Sequence, residues 1–122
     1  MVEALLHMPA AEAVGRWVFD PEQTLGAPHL LDVEVAQVIR RYAAKGQIED
    51  HRGREALADL AIFPIRRYAH DLLLPRIWEL RHNLTAYDAA YVALAEALDA
   101  PLLTRDKRLT TAAGHRARIE VV

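Results

Sequence analysis

The segment NLTAYDAAYVALAEAL, residues 83 to 98, restricts the possible architectures more than any other part of this chain. At 3.6 residues per turn, Tyr87, Tyr91, Leu94 and Leu98 fall along one face, and alanines at 86, 89, 90, 93 and 97 cover much of the rest. A helix apolar around so much of its circumference has to be buried, and its small side chains let neighbours pack closely on both sides. Thr85, followed three residues later by Asp88, has the form of a capping box with Asp in place of Glu or Gln.

The flanking segments set what can cover that helix. Ahead of it, VEALL and AAEAVGRWVF read as helices, the second with Val14, Trp17 and Val18 at helical spacing, and DPEQTLGAPH reads as a loop rich in turn formers. In LLDVEVAQVIRRYAAKG, Leu31, Val35, Val38, Ile39 and Tyr42 form one apolar stripe, and Gly46 supplies a C-terminal stop. Asp50 is the expected N-cap of HRGREALADLAIF, PIRRYA reads as a strand, and LLLPRIWELRH reads as a helix with Pro75 in its first turn. After the alanine-rich helix, APLLT has the length of a short buried strand, RDKRLTTAAG of a turn into a short helix, and ARIEVV of a closing strand. Strands alternating with helices predict an α/β layer fold on a parallel sheet, in one domain spanning residues 1–122.

Composition narrows the functional classes. With 52% hydrophobic residues in 122, the chain can bury a single core, and its net charge of -2 creates no global field toward nucleic acid or an anionic membrane. A polyanion would have to be held locally, by a cation or a small arginine cluster. The absence of cysteine excludes disulfide and thiolate chemistry. No apolar run approaches the roughly 18 to 20 residues of a membrane span, and MVEALLHMPA lacks the pattern of a signal peptide. The expectation is a soluble protein of the cytoplasm.

Three acids carry the chemical interest. Asp88, alone, is an acid at the positive end of a helix dipole, a contribution of up to about 1 kcal/mol. Asp106 follows the strand PLLT and Arg105; alone it is a turn or N-cap residue, but the C-terminal mouth of a parallel sheet is where α/β folds place ligands. Glu34 lies early in an apolar helix, between Val33 and Val35 and near Asp32, and alone it reads as a solvated glutamate. If the three converge, they repel one another unless a cation neutralises them. Oxygen ligands without histidine or cysteine favour magnesium or manganese over zinc. The six histidines show no metal-ligand spacing and read as surface or core residues.

APHLLDVEVAQVIRR, LRHNLTAYDAAYVALAEALDAPLLTRDKRL and the ending GHRARIEVV, in this order and spacing, resemble the PIN-domain ribonuclease toxins of bacterial VapBC toxin–antitoxin systems from about residue 27 onward. The resemblance implies a PIN-like three-layer α/β fold, a parallel sheet flanked by helices with an acidic pocket at the strand ends. It implies metal-assisted hydrolysis of RNA, with Glu34, Asp88 and Asp106 as catalytic metal ligands, Mg2+ as cofactor and Mn2+ as the alternative. Thr104 matches a threonine that orients a carboxylate or water. Arg105, Lys107 and Arg108 form a cationic cluster that either holds RNA phosphates or is a solvated face. The implied partners are a VapB-type antitoxin and a second copy in a homodimer. Leu5, Leu6, Trp17, Val18 and Trp78 are candidate groove residues for the antitoxin, or else ordinary core.

Family members open with a strand of the type VVDAS, whose aspartate is the first acid of the pocket. MVEALL matches the helix that follows that strand, so the expectation is a domain without its first central strand and first acid. Two functional readings follow. One is a magnesium-dependent endoribonuclease toxin; the other is a catalytically impaired PIN module that binds its antitoxin without cutting RNA. A DNA nuclease is a third and less favoured reading.

Overall fold

A computed structural model describes residues 2–7 and 23–122 of the chain. Its strands are β1 (Val2–His7), β2 (Gln23–Pro28), β3 (Ile65–Tyr68), β4 (Leu102–Thr104) and β5 (Ile119–Val121). Its helices are α1 (Leu30–Ala44), α2 (Asp50–Ile62), α3 (Leu74–Glu79) and α4 (Ala86–Leu98), with 3-10 turns at Asp71–Leu73 and Lys107–Thr110. The strands make one parallel sheet in the order β3-β2-β1-β4-β5, so the expected α/β fold is observed.

Two expectations are corrected. Residues 2–7 are not a helix, and the sheet does not lack its central strand: Val2–His7 is that strand, paired with β2 on one side and β4 on the other. Ala4, Leu5 and Leu6 are all buried. A strand covered on both faces shows an unbroken apolar run instead of alternation, and over a few residues such a run has no readable period. Likewise, Gln23–Pro28 is a strand and not a loop. Gly26 stands in register between Leu5 and Arg66, and Pro28 is the last residue of the strand, where its missing N–H interrupts little. The ladder continues one residue further through the His29 amide to the Tyr68 carbonyl at 2.9 Å. The predicted helix AAEAVGRWVF, with Trp17 and Val18, lies outside the described residues.

The remaining elements follow the predicted periodicities. In α1 the apolar stripe is deepest at Leu31, half-buried at Val35, Val38 and Ile39, and exposed at Tyr42, and Gly46 ends the helix with φ +72°. The N-cap of α2 is Glu49 and not Asp50, which sits in the first turn and pairs with Arg54 at 2.9 Å. Gly53 of α2 lets the α1–α2 hairpin close, since a Cβ there would lie 3.3 Å from Ile39 Cγ2. In α4 the Thr85 hydroxyl accepts the Asp88 amide at 3.1 Å, and residues Ala89–Ala95 are all buried over β1, β2 and β4. Tyr87 and Leu98, at the helix ends, are exposed.

Glu96 pins α4 to its surroundings. Its side chain is 3% exposed and accepts from Arg76 Nε at 2.7 Å, Arg76 Nη2 at 3.0 Å and the Arg116 amide at 2.8 Å. Arg76 Nη2 also donates to the Gly114 carbonyl at 3.0 Å, so α3, α4 and the segment before β5 share one knot. The Arg76 guanidinium holds the Glu96 carboxyl below the usual glutamate range, with the Arg116 amide assisting. Its stabilisation is therefore complete above the ordinary glutamate pKa and is lost as pH falls through the lowered value. Glu96→Gln should cost about 2 kcal/mol at neutral pH, and the gap from wild type should narrow as the medium is acidified. Urea unfolding of both proteins at several pH values checks this.

Candidate active site at the strand ends

The chain runs from β1 outward through β2 to β3, then crosses back to β4 and β5. Strand order thus reverses between β1 and β4, and in parallel α/β sheets the crevice beyond the strand C-termini at such a point is the usual ligand site. The residues that meet there are His7 and Thr104, register partners at the ends of β1 and β4. His7 Nδ1 lies 2.8 Å from Thr104 Oγ1, and His7 Nε2 lies 3.1 Å from Asp88 Oδ1 at the start of α4. Asp88 accepts only, so Nε2 carries the proton, and the Thr104 hydroxyl can donate to Nδ1.

Glu34, the next acid, approaches from α1. Its Oε1 accepts a hydrogen bond from the hydroxyl of Tyr91, a wholly buried residue of α4. Burial first, and then the bond to Glu34, push the Tyr91 phenol far above the ordinary tyrosine range. The His7 ring stands edge-on to Tyr91, with centroids 4.3 Å apart. Glu34, Asp88 and His7 line one cleft of about 330 Å³ together with Leu31, Gln37, Val38 and Arg41. Five of those seven residues come from one face of α1.

Asp106 does not line this cleft. It is the N-cap of the turn Lys107–Thr110 and accepts from the Arg108 amide at 2.9 Å and from Arg108 Nε and Nη2 at 3.0 and 2.8 Å. The Arg108 guanidinium, followed by its amide, holds the Asp106 carboxyl at about 2. Thr104 joins Asp106 to the cleft indirectly: its hydroxyl oxygen accepts the Asp106 amide at 3.0 Å while contacting His7. Thr104 is fully buried, so it positions its neighbours and does not itself meet a substrate. Arg105, Lys107 and Arg108 are exposed on the adjoining segment, Arg108 paired as described.

Two of the three sequence-predicted acids therefore share a cleft, and the third sits beside it on an arginine. Among the described residues, no three His, Asp or Glu side chains stand close enough to hold a cation as a ready set. A hard cation that retains several waters is bound through one or two carboxylates, and Asp88 and Glu34 on one cleft have that chemistry. Sequence reasoning missed His7, Tyr91 as a hydrogen-bond donor, and Arg41. Arg41 was within reach, since it lies seven residues after Glu34 and so on the same face of the helix. His7 was not, because its partners are 81 and 97 residues away. Of the candidate groove residues, Leu5 and Leu6 are core, Trp78 is 66% exposed beneath the Arg81 guanidinium at 4.2 Å, and Trp17 and Val18 lie outside the described residues.

The PIN domain family matches residues 1–114 of the chain. Ribonuclease VapC1 of Mycobacterium tuberculosis is 44% identical over 123 residues, covering 100% of this chain and 92% of that protein. The crystal structure of PAE2754 from Pyrobaculum aerophilum has a TM-score of 0.70 at 27% identity, covering 97% of this chain and 83% of that one. A chain of VapBC2 from Rickettsia felis, solved with a DNA fragment from their promoter, shares the fold with a TM-score of 0.70 at 11% identity over 98% of each chain.

The Tyr91–Glu34 bond gives this site a measurable signature. The raised phenol pKa means that its stabilisation is present below the ordinary tyrosine range and is lost only as pH rises through the folded value. In an alkaline absorbance titration, wild type minus Tyr91→Phe should show one phenol that ionises only as the fold opens. Tyr91→Phe should also lower stability by about 1–2 kcal/mol in urea unfolding.

Proposed function

This chain belongs to the VapC family of PIN domains, and on that footing we propose that it hydrolyses RNA phosphodiester bonds with a divalent cation, magnesium in the first instance, in the cleft beyond β1 and β4. The observation that carries the reading is the pairing of Glu34 and Asp88 on one cleft at the point where strand order reverses. Asp88 and Glu34 would hold the cation, directly or through water, and its charge would activate water and offset charge developing at phosphorus. Tyr91 fixes the Glu34 carboxylate, and Thr104 ties the Asp106 backbone to the same strand ends. Arg41 inside the cleft and Arg105, Lys107 and Arg108 beside it are placed for backbone phosphates, contacts that position RNA without reading its bases.

The proposal extends to protein partners. Exposed Leu72, Leu74 and Trp78 all come from the segment 71–79, an apolar surface suited to a VapB-type antitoxin or a second copy of the chain. Membership of the VapC family favours the first. No helix among the described residues is long and apolar enough to cross a membrane.

Asp88→Asn tests the reading because it spares the fold. The variant keeps an acceptor for His7 and the backbone bond to Thr85, so stability should change by about 1 kcal/mol or less. Magnesium-dependent cleavage of RNA should fall at least tenfold to a hundredfold, roughly the loss seen when metal sites are disturbed. Magnesium at about 100 times its dissociation constant should stabilise wild type by about 2.7 kcal/mol, and potassium at matched ionic strength should not. Equal cleavage by both proteins, or equal effects of the two salts, would remove the cation site from the cleft. A chain that binds antitoxin yet leaves RNA intact would be the impaired module instead.

A further inference from the structure

The end of β1 carries an imidazole where the family resemblance implies a carboxylate. His7 is 14% exposed in its side chain, braced edge-on by Tyr91, and held at both ring nitrogens. It therefore has one orientation, with Nε2 facing Asp88 across the cleft wall. A metal-bound imidazole gives the lone pair of one nitrogen to the cation and needs an acceptor for the proton on the other. Thr104 Oγ1 lies 2.8 Å from Nδ1 and can serve as that acceptor, because a hydroxyl oxygen accepting the Asp106 amide has a second lone pair.

We propose that His7 is itself a cation ligand: Nε2 joins Asp88 in the inner sphere, Glu34 is reached through water, and the site prefers manganese(II) to magnesium. This rests on the cation-dependent reading above and specifies its metal. Without the cation, the proton on Nε2 faces Asp88. With it, Nε2 gives its lone pair to the ion and the ring's remaining N–H, on Nδ1, faces Thr104. The preference follows from the donors. Magnesium is bound almost wholly by oxygen and water, whereas first-row transition cations accept imidazole readily.

The probes are manganese(II) chloride and magnesium chloride added to the purified full chain. Free manganese is counted by electron paramagnetic resonance, and bound manganese is examined by pulsed resonance for coupling to nitrogen. Wild type should show imidazole nitrogen coupling and bind manganese more tightly than magnesium. His7→Gln should lose the coupling and weaken manganese binding by about tenfold or more. His7→Asp should lose the coupling and shift the preference toward magnesium. Thermal melts confirm folding, and should His7→Gln not fold, the wild type and His7→Asp comparison decides. If manganese binds wild type without nitrogen coupling and Asp88→Asn abolishes that binding, the role of His7 is overturned while the cation reading stands. If wild type binds neither cation, both are overturned.

Discussion

The close approach of α4 to the sheet is the contact on which the rest of the structure depends. Ala89, Ala90, Ala93 and Ala95 present little more than a methyl group each, and all are buried, as are Tyr91, Val92 and Leu94 between them. Larger residues at those positions would lift the helix off β1, β2 and β4, and overpacking of this kind costs about 1–3 kcal/mol per site. Because the helix lies so close, its first turns pass over the ends of β1 and β4. Asp88 then meets His7, and Tyr91 reaches Glu34 on α1. His7 meets Thr104, and Thr104 holds the Asp106 amide. A chain of hydrogen-bonded side chains thus joins α1, α4, β1, β4 and the turn after β4, all set by the spacing between one helix and one sheet.

Elements with a clear period or a clear stop were legible in the sequence. The alanine-rich helix, the α1 stripe with its glycine stop, Pro75 in a first turn and the strand at Leu102–Thr104 all appear where the residues predict them. The failures share a physical cause. Strand β1 is buried on both faces and so shows no alternation, and β2 contains Gly26 and Pro28, residues that usually break strands. Both are specified by their neighbours: β1 is held by β2 and β4, and β2 by β1 and β3. Local propensity weighs little against such pairing.

The candidate site was legible to a similar degree. Glu34, Asp88 and Asp106 were visible as acids at helix starts and strand ends, and two of them share the cleft. What the sequence could not display is how their charges are accommodated. Converging carboxylates were expected to repel one another until a cation arrived, but each has its own protein donor: the Tyr91 hydroxyl for Glu34, His7 for Asp88 and Arg108 for Asp106. A cation bound in this cleft, as proposed, would therefore not simply relieve repulsion. It would compete with hydrogen bonds already made, so its net affinity would be the strength of the new metal–ligand bonds less that of the protein hydrogen bonds they weaken. A charged hydrogen bond in such a setting contributes about 1.5–3 kcal/mol. The difference is sensitive to the donor atoms, because the hydrogen bonds given up are the same for every divalent ion while the metal–ligand bonds are not. On the proposed reading, selection among cations would fall to the side chains that line the cleft, and residues that brace them, as Tyr91 braces Glu34 and Thr104 braces His7, would tune affinity without touching the ion.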